Sequence, residues 1–166
     1  MPAVNQERLI RTFLDLVEIN SPSKHERGVV DYLRPRLEEL GFDVKEDDTG
    51  QKTGGDAGNL IATKTGSAQS GLRIFLSAHM DTVEPTEGLE PVITEDGVIK
   101  SNGRTILGAD DKGGIAAILE AARLVTEENI PFRSLQLIFS VAEEIGIVGA
   151  RELDPSDIKS DVGFIF

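Results

Sequence analysis

Residues 72–81 read LRIFLSAHMD, an apolar run that predicts a strand over 72–79 and ends on a histidine and an aspartate. A second apolar run, SLQLIFSVA at 134–142, predicts a buried strand, and DVGFIF at 161–166 has the same character. Between the first two strands, residues 112–126 are apolar almost all round and predict a buried helix. Helices that alternate with strands favour an α/β fold, with a mixed, partly parallel sheet flanked by helices.

Two further helices are predicted before the first strand. In residues 5–19, apolar side chains recur at helical spacing. Ser23 and Glu26 have the form of a capping box that would begin the second helix, and Gly41 is placed to end it. Pro35 lies inside this second helix, where a proline costs about 3 kcal/mol and is expected to kink or split it.

The remaining segments are short. Residues 47–58, DDTGQKTGGDAG, are predicted to be a polar loop rich in glycine. A strand is predicted at 59–64. Residues 92–94 and 98–100 flank Glu-Asp-Gly and predict a hairpin with glycine in the turn.

The composition excludes several classes of protein. The 166 residues include 17 Lys and Arg against 29 Asp and Glu, which gives a formal net charge of −12. Neither nucleic acid nor an anionic membrane is expected as a partner, because both attract an excess of basic side chains. There is no cysteine, which excludes disulfides, thiol catalysis and zinc held by cysteine. No apolar run approaches the ~18 residues that span a bilayer, and no signal-peptide pattern opens the sequence, so a cytosolic protein is expected.

His79 and Asp81 lie where the first strand ends. In a strand, residues i and i+2 face the same side, so these two side chains are expected to be neighbours. A carboxylate beside an imidazole is the usual arrangement around a metal-bound histidine, because it fixes the tautomer of the ring. A purely structural hydrogen bond between the two side chains is the alternative.

Two acidic pairs follow further along the chain. Asp110 and Asp111 stand between glycines just before the buried helix, where carboxylates can also serve only to stabilise the helix start. Glu143 and Glu144 follow the second buried strand, where adjacent carboxylates need solvent, an ion pair or a bound cation. Residues 103–108 have the glycine spacing of a phosphate loop, but the lysine that such a loop requires is missing.

One histidine and several carboxylates, all at strand ends or at a helix start, could together form a metal site. These ligands suit zinc, manganese or cobalt. Serine catalysis has little support, because there is no G-x-S-x-G sequence and only His25 remains besides His79. His25 lies at the start of a charged helix, where exposure to solvent is expected.

Three segments occur in a characteristic order, namely SAHMDTV at 77–83, GADDKGG at 108–114 and AEEIGIVGA at 142–150. Together they resemble the cytosolic co-catalytic zinc peptidases, a family that includes peptidase T, carboxypeptidase G and the aminoacylases. The segments AGNLIATKTG and SNGRTILGADDKGGIAAILEA extend the similarity to the peptidase T-like branch of tripeptide aminopeptidases. The resemblance implies hydrolysis of short peptides with two divalent metal ions, zinc first, with cobalt or manganese as alternatives.

The same resemblance implies a role for each of five residues. His79 would be a terminal ligand of the first metal ion, and Asp81 would orient it. Asp110 would bridge the two ions. Glu144 would bind the second ion, while Glu143 would act as the general base that activates the bridging water.

The family's pattern also needs residues that cannot be assigned here. A further carboxylate ligand and a distant histidine are without a counterpart, so residues 1–166 are expected to be the N-terminal part of a metallopeptidase catalytic domain. The C-terminal part of that domain would be absent, and so would a lid domain through which a homodimer could form. Alone, this part is expected to have negligible activity. The resemblance further implies a cis peptide bond between Asp110 and Asp111.

Two other functions stay open at this point. The same metal ions could act on an N-acyl amino acid or on a C-terminal residue, as in a deacylase or a carboxypeptidase of the same family. The chain could also be a non-catalytic domain whose acidic clusters are only solvated.

Overall fold

The computed structural model describes residues 3–166, in which helices and strands alternate along the chain. The helices are α1 (Gln6–Val17), α2 (Arg27–Glu39), α3 (Thr49–Thr53), α4 (Ala109–Glu127) and α5 (Val148–Glu152), with a 3-10 turn at Pro155–Asp157. The strands are β1 (Asp43–Glu46), β2 (Leu60–Thr65), β3 (Arg73–His79), β4 (Pro91–Ile93), β5 (Ile99–Ser101), β6 (Ser134–Ser140) and β7 (Val162–Ile165).

Five strands form one sheet in the order β1-β2-β6-β3-β7. Strand β3 runs parallel to both β6 and β7, whereas β1, β2 and β6 pair antiparallel. The predicted mixed, partly parallel sheet is therefore confirmed. Strands β4 and β5 form the predicted hairpin, in which Gly97 adopts a φ of +81° in the turn.

A single apolar core joins the sheet to helices α1, α2 and α4. Its buried members include Leu16 from α1, Leu33 from α2 and Ile115 from α4, which pack with side chains of β2 and β6 such as Leu60 and Phe139. Because β6 is central and almost wholly buried, its sequence is mostly apolar, as in strands covered on both faces, with Gln136 as the one long polar side chain in it. Within residues 3–166, no helix has both the length and the apolar character needed to cross a bilayer.

The start of the second helix differs from the prediction. Helix α2 begins at Arg27, and Glu26 makes no side-chain capping bond to it, so the capping-box assignment of Ser23 and Glu26 is wrong. The Ser23 hydroxyl donates instead to Asp81, and the Glu26 carboxylate accepts from the N–H groups of Lys24 and of the distant Ala142. Pro35 does not split α2. Proline has no N–H to donate to the carbonyl of Asp31, but both residues lie on the exposed face of the helix, where this carbonyl can bond to solvent. Gly41, with a φ of +79°, follows the helix end as predicted.

The segment 47–58 is not a plain loop. It contains the short helix α3, which is followed by Gly54 in a left-handed conformation. Strand β1 and helix α5 were not predicted either. β1 is a half-exposed polar edge strand of sequence DVKE, and α5 is too short to show a helical period.

Candidate metal centre

The three sequence motifs meet at the end of the sheet where β3 and β6 finish, because these two strands run in the same direction. His79, the last residue of β3, pairs with Ser140, the last residue of the parallel strand β6. The turn that carries Glu143 and Glu144 follows Ser140 and therefore lies beside His79. Helix α4 packs against β3, and its first residues bring Asp110 to the same end of the sheet. In sheets of this kind, ligands bind beyond the carboxyl ends of the parallel strands.

The imidazole of His79 is held in one orientation. Its Nδ1 lies 2.8 Å from the main-chain oxygen of Asp81 and 3.4 Å from the carboxylate Oδ1 of the same residue. Because a carbonyl oxygen can only accept, Nδ1 must carry the proton, and the neutral ring then presents the lone pair of Nε2. Nε2 faces outward, 3.0 Å from Oδ1 of Asp110 and 4.0 Å from Oε2 of Glu143.

The charge around His79 favours a cation at this position. Burial lowers the pKa of His79, but the contacts with the Asp81 and Asp110 carboxylates outweigh burial and raise the pKa to about 9. The same carboxylates that would hold a proton on Nε2 would also favour a metal ion there.

Asp110 and Asp111 have opposite surroundings although they are neighbours in sequence. The peptide bond between them is cis, which confirms the prediction. Asp111 is buried and its carboxylate accepts hydrogen bonds from the main-chain N–H groups of Gly114 at 3.1 Å and His79 at 3.3 Å. The side chain of Asp110 is 85% exposed and contacts Nε2 of His79. Asp111 therefore fills the structural role at the helix start, and Asp110 is free for the site.

Glu143 and Glu144 leave the end of β6 in a tight turn. Ala142 just before them has a φ of +52°, in the left-handed region that non-glycine residues rarely adopt. Burial raises the pKa of the Glu144 carboxyl, and the negative charges of Asp110 and Glu143 add to this effect. Ligand atoms of His79, Asp110 and Glu144 all lie within 4.8 Å of one another. One imidazole and two crowded carboxylates are a donor set that fits zinc, cobalt or manganese.

Asp81 connects His79 with the turn that carries Glu143 and Glu144. Its side chain is fully buried, and its carboxylate accepts hydrogen bonds from the Ser23 hydroxyl at 2.6 Å and from the main-chain N–H groups of Glu143 at 2.9 Å and Glu144 at 3.1 Å. Burial alone would raise the pKa of Asp81, but the contact with His79 and these hydrogen bonds lower it below its usual value. Asp81 is therefore an anion that contacts both His79 and the Glu143–Glu144 turn.

Sequence reasoning missed several residues that support the site. Ser23 and Glu26 were assigned to a helix cap, because nothing local in the sequence shows that their partners are Asp81 and Ala142. The buried Asn59 was treated as an ordinary strand residue. A polar side chain at the start of an otherwise apolar strand was the only available signal. His25 is 71% exposed, as expected, and lies near Asp56 rather than in the site.

An open cavity of about 300 Å³ lies next to Glu144. It is lined by Pro22, Ser23, Thr82, Val83, Glu84, Glu144 and Ile145. The cavity combines hydroxyl, carboxylate and apolar side chains and opens to solvent. A small polar ligand at the site would have room on this side.

Comparison with known proteins places this chain among the peptidases. The sequence profile of peptidase family M28 matches residues 59–161, a range that contains His79, Asp110 and Glu144. Among curated proteins, the uncharacterized protein YqjE of Bacillus subtilis is 47% identical over 161 residues, which are 97% of this chain and 43% of YqjE.

Solved structures show the same fold. Aminopeptidase PepT from Bacillus cereus is 43% identical with a TM-score of 0.94, and a tripeptidase from Staphylococcus aureus is 39% identical with a TM-score of 0.93. Each match covers 98% of this chain and 43% of the other chain. The chain thus spans less than half the length of each of these three relatives.

Proposed function

Because the chain belongs to peptidase family M28, we propose that the whole protein is a metal-dependent aminopeptidase that acts on short peptides. The observation that carries the proposal is the convergence of His79, Asp110 and Glu144, with Glu143 beside them, at the carboxyl ends of two parallel strands. The similarity to an aminopeptidase and to a tripeptidase supports short peptides as substrates. A cytosolic location is part of the same proposal.

The proposal extends to the organisation of the whole protein. We propose that residues 1–166 form the N-terminal part of the catalytic domain. Further metal ligands and a lid domain, through which two copies could pair, would then belong to the remainder. The support is that the YqjE protein, the Bacillus cereus aminopeptidase and the Staphylococcus aureus tripeptidase are each more than twice as long as this chain.

His79, Asp110 and Glu144 would hold the metal. We propose two ions, with Asp110 shared between them, and zinc as the first choice over cobalt and manganese. Metal ions bound there would lower the pKa of a water molecule and polarise the carbonyl of the peptide bond. The donors of this chain fit that task because they are anionic or neutral and because Nε2 of His79 is presented without a proton in its neutral form.

Glu143 would move the proton in this reaction. Its Oε2 lies 4.0 Å from Nε2 of His79 and its side chain is 37% exposed, so it borders the site without being enclosed in it. A carboxylate in this position can take a proton from the attacking water and pass it to the leaving amine. Asp81 would not touch the substrate; it keeps Nδ1 of His79 protonated and Nε2 available.

Glu143→Gln in the full-length protein tests the assignment of the base. Turnover of a tripeptide is expected to fall by about 10²–10⁴-fold, because a general base contributes that much. Zinc stoichiometry is expected to stay at the wild-type value. Glu144→Gln is the matched variant and is expected to lower zinc affinity. Substantial activity in the Glu143→Gln protein would show that this residue is not the base.

The substrate class is tested with three compounds on the wild-type protein. We expect release of the N-terminal residue from a tripeptide with a free amine, and little hydrolysis of the same peptide after N-acetylation. Preferential hydrolysis of an N-acyl amino acid, or release of a C-terminal residue, would contradict the aminopeptidase proposal and identify one of the related activities instead.

A further inference from the structure

Four successive main-chain N–H groups in the turn after β6 each donate to a buried side chain. The N–H of Val141 donates to Oδ1 of Asn59 at 3.1 Å, and the N–H of Ala142 donates to Oε1 of Glu26 at 2.9 Å. The next two N–H groups, of Glu143 and Glu144, donate to the two carboxylate oxygens of Asp81. These three acceptors come from three separate parts of the chain.

All three acceptor residues are fully buried. Asn59, Glu26 and Asp81 each have 0% exposed surface. Asn59 is itself fixed, because its Nδ2 donates to Oδ2 of Asp47 at 2.8 Å and to the main-chain oxygen of Gly149 at 2.9 Å. Buried polar side chains with several partners hold their positions closely, so the turn is pinned at consecutive points.

Glu26 has surroundings that a helix cap would not need. Its Oε1 accepts from the N–H groups of Lys24 at 2.8 Å and of Ala142, while its Oε2 is buried without a hydrogen-bond partner. Burial raises the pKa of this carboxyl. A buried carboxyl with an unpartnered oxygen is unfavourable for folding by itself, which indicates a role other than stability.

The residue that Glu26 holds is the one with the unusual backbone. Ala142 adopts a φ of +52°, and the change of direction at this residue turns Glu143 and Glu144 back toward His79. A left-handed alanine persists only where its surroundings hold it. The hydrogen bond from its N–H to Glu26 is one such restraint, and the bond from the adjacent Val141 to Asn59 is another.

We propose that Glu26 and Asn59 are positioning residues of the metal centre, which together with Asp81 form a clamp on the main chain of residues 141–144. Through this clamp they set the direction in which Glu143 and Glu144 present their carboxylates. The inference rests on the proposed function for the identity of the site. It goes beyond that function because neither residue contacts the ligand atoms.

The experiment compares three variants of the full-length protein, each freed of metal and titrated with zinc alone in competition with a chromogenic chelator. Glu26→Ala removes the acceptor for Ala142, and Glu26→Gln retains an acceptor oxygen. Gln136→Ala is the matched control, because Gln136 is also buried, accepts from the N–H of Lys159 at 3.1 Å and donates to the oxygen of Asp157 at 2.8 Å, but bonds to nothing in the clamp. Thermal unfolding, zinc affinity and kcat are measured for each.

If the clamp orients the metal ligands, loss of stability and loss of zinc affinity and kcat should occur in different variants. Glu26→Ala is expected to lower zinc affinity and kcat by about tenfold each, the scale typical of groups that orient metal ligands, with little change in KM. Gln136→Ala is expected to lower the unfolding temperature without moving zinc affinity or kcat. Glu26→Gln should restore most of the zinc affinity and most of the kcat that Glu26→Ala loses. The absorption of the cobalt-loaded protein should change in Glu26→Ala and be restored in Glu26→Gln, since it reports ligand geometry.

Two results would overturn the proposal. One is a Glu26→Ala protein that is destabilised but keeps the wild-type zinc affinity and cobalt spectrum. The other is a Gln136→Ala protein that loses zinc affinity to the same degree, which would mean that any loss of stability is felt at the site. If Glu26→Ala does not fold, Glu26→Asp withdraws the carboxyl from Ala142 by one methylene and is judged by the same criteria.

Failure of the clamp can be told apart from failure of the proposed function. If the wild-type protein binds zinc but hydrolyses no peptide, the function is wrong, and zinc affinity and the cobalt spectrum still decide the role of Glu26. If the wild-type protein hydrolyses peptides and Glu26→Ala retains all of the site readouts, the clamp is wrong and the function stands.

Discussion

Asp81→Asn is the substitution whose cost follows most directly from the structure. The Asp81 carboxylate accepts three hydrogen bonds, from Ser23 on Oδ2, from the N–H of Glu143 on Oδ1 and from the N–H of Glu144 on Oδ2. Asparagine has one acceptor oxygen, so in either orientation of the amide one main-chain N–H faces an NH₂ group and loses its acceptor. The hydroxyl of Ser23 can rotate to accept and therefore adds little to the loss.

The expected cost of Asp81→Asn is about 2–4 kcal/mol in the free energy of unfolding. One buried N–H without an acceptor accounts for about 1–3 kcal/mol of this, and replacement of an ionic acceptor by a neutral one weakens the hydrogen bond that remains. Urea unfolding of the metal-free, full-length protein at pH 7 measures this difference. Asp157→Asn is the control, because Asp157 pairs with Lys45 at the surface and such pairs contribute about 0–1 kcal/mol.

The pH dependence of the same variant gives a second check. The pKa of Asp81 is lower in the folded state than its usual value of 3.8. The stability that depends on its ionisation is therefore present above pH 3.8 and is lost as the pH falls through the folded-state pKa. The gap between wild type and Asp81→Asn should narrow in that acidic range. An Asp81→Asn protein whose stability at pH 7 equals that of Asp157→Asn would refute the reasoning.

Three further predictions concern other parts of the molecule. Glu46→Gln should lower the free energy of unfolding by about 1–2 kcal/mol at pH 7, because Glu46 is half-buried and pairs with two arginines; urea unfolding should show the loss. Burial would raise the pKa of Glu46, but the two arginines outweigh burial and lower it. The stability difference between wild type and Glu46→Gln should therefore shrink as the pH falls below 4.5, and a difference that stays constant with pH would contradict this. Gly66→Ala, just after β2, should destabilise by about 1–3 kcal/mol, because a Cβ there would overlap the main-chain oxygen of Phe132. Gly113→Ala in helix α4 meets open space and should not destabilise, so equal unfolding temperatures of the two variants would refute the clash. Zinc at 100 times its dissociation constant should stabilise the metal-free protein by about 2.7 kcal/mol, and His79→Ala should abolish the rise in unfolding temperature; a rise that survives places the zinc elsewhere.

Sequence patterns predicted those parts of the fold that depend on local periodicity. The strand over 72–79, the strand that begins at Ser134 and the buried helix after Asp111 were found because apolar runs and helical periods are local properties. Strand β1 was missed because it lies at the edge of the sheet with alternate residues exposed and only one apolar side chain. Its place is set by pairing with β2, which no local pattern reveals.

Residues of the candidate site could be predicted from the sequence where they lie at the end of a predicted strand. His79 and Glu143 were expected to meet because both lie at strand ends, and the parallel pairing of β3 with β6 brings them together. The partners of Glu26 and Asn59 could not be predicted in the same way. Glu26 bonds to a residue 116 positions away, and a glutamate three residues after a serine has the same local pattern as a helix cap.

The pinning of the turn has a consequence for the rate at which an ion could enter or leave. The N–H groups of residues 141–144 hold the backbone of the turn on buried acceptors, whereas the side chain of Asp110, one of the proposed ligands, is 85% exposed. Rotation of exposed side chains takes picoseconds to nanoseconds, whereas loop rearrangement takes nanoseconds to microseconds. On this side of the centre, exchange of an ion would therefore be governed by the strength of the ligand bonds and not by a conformational gate.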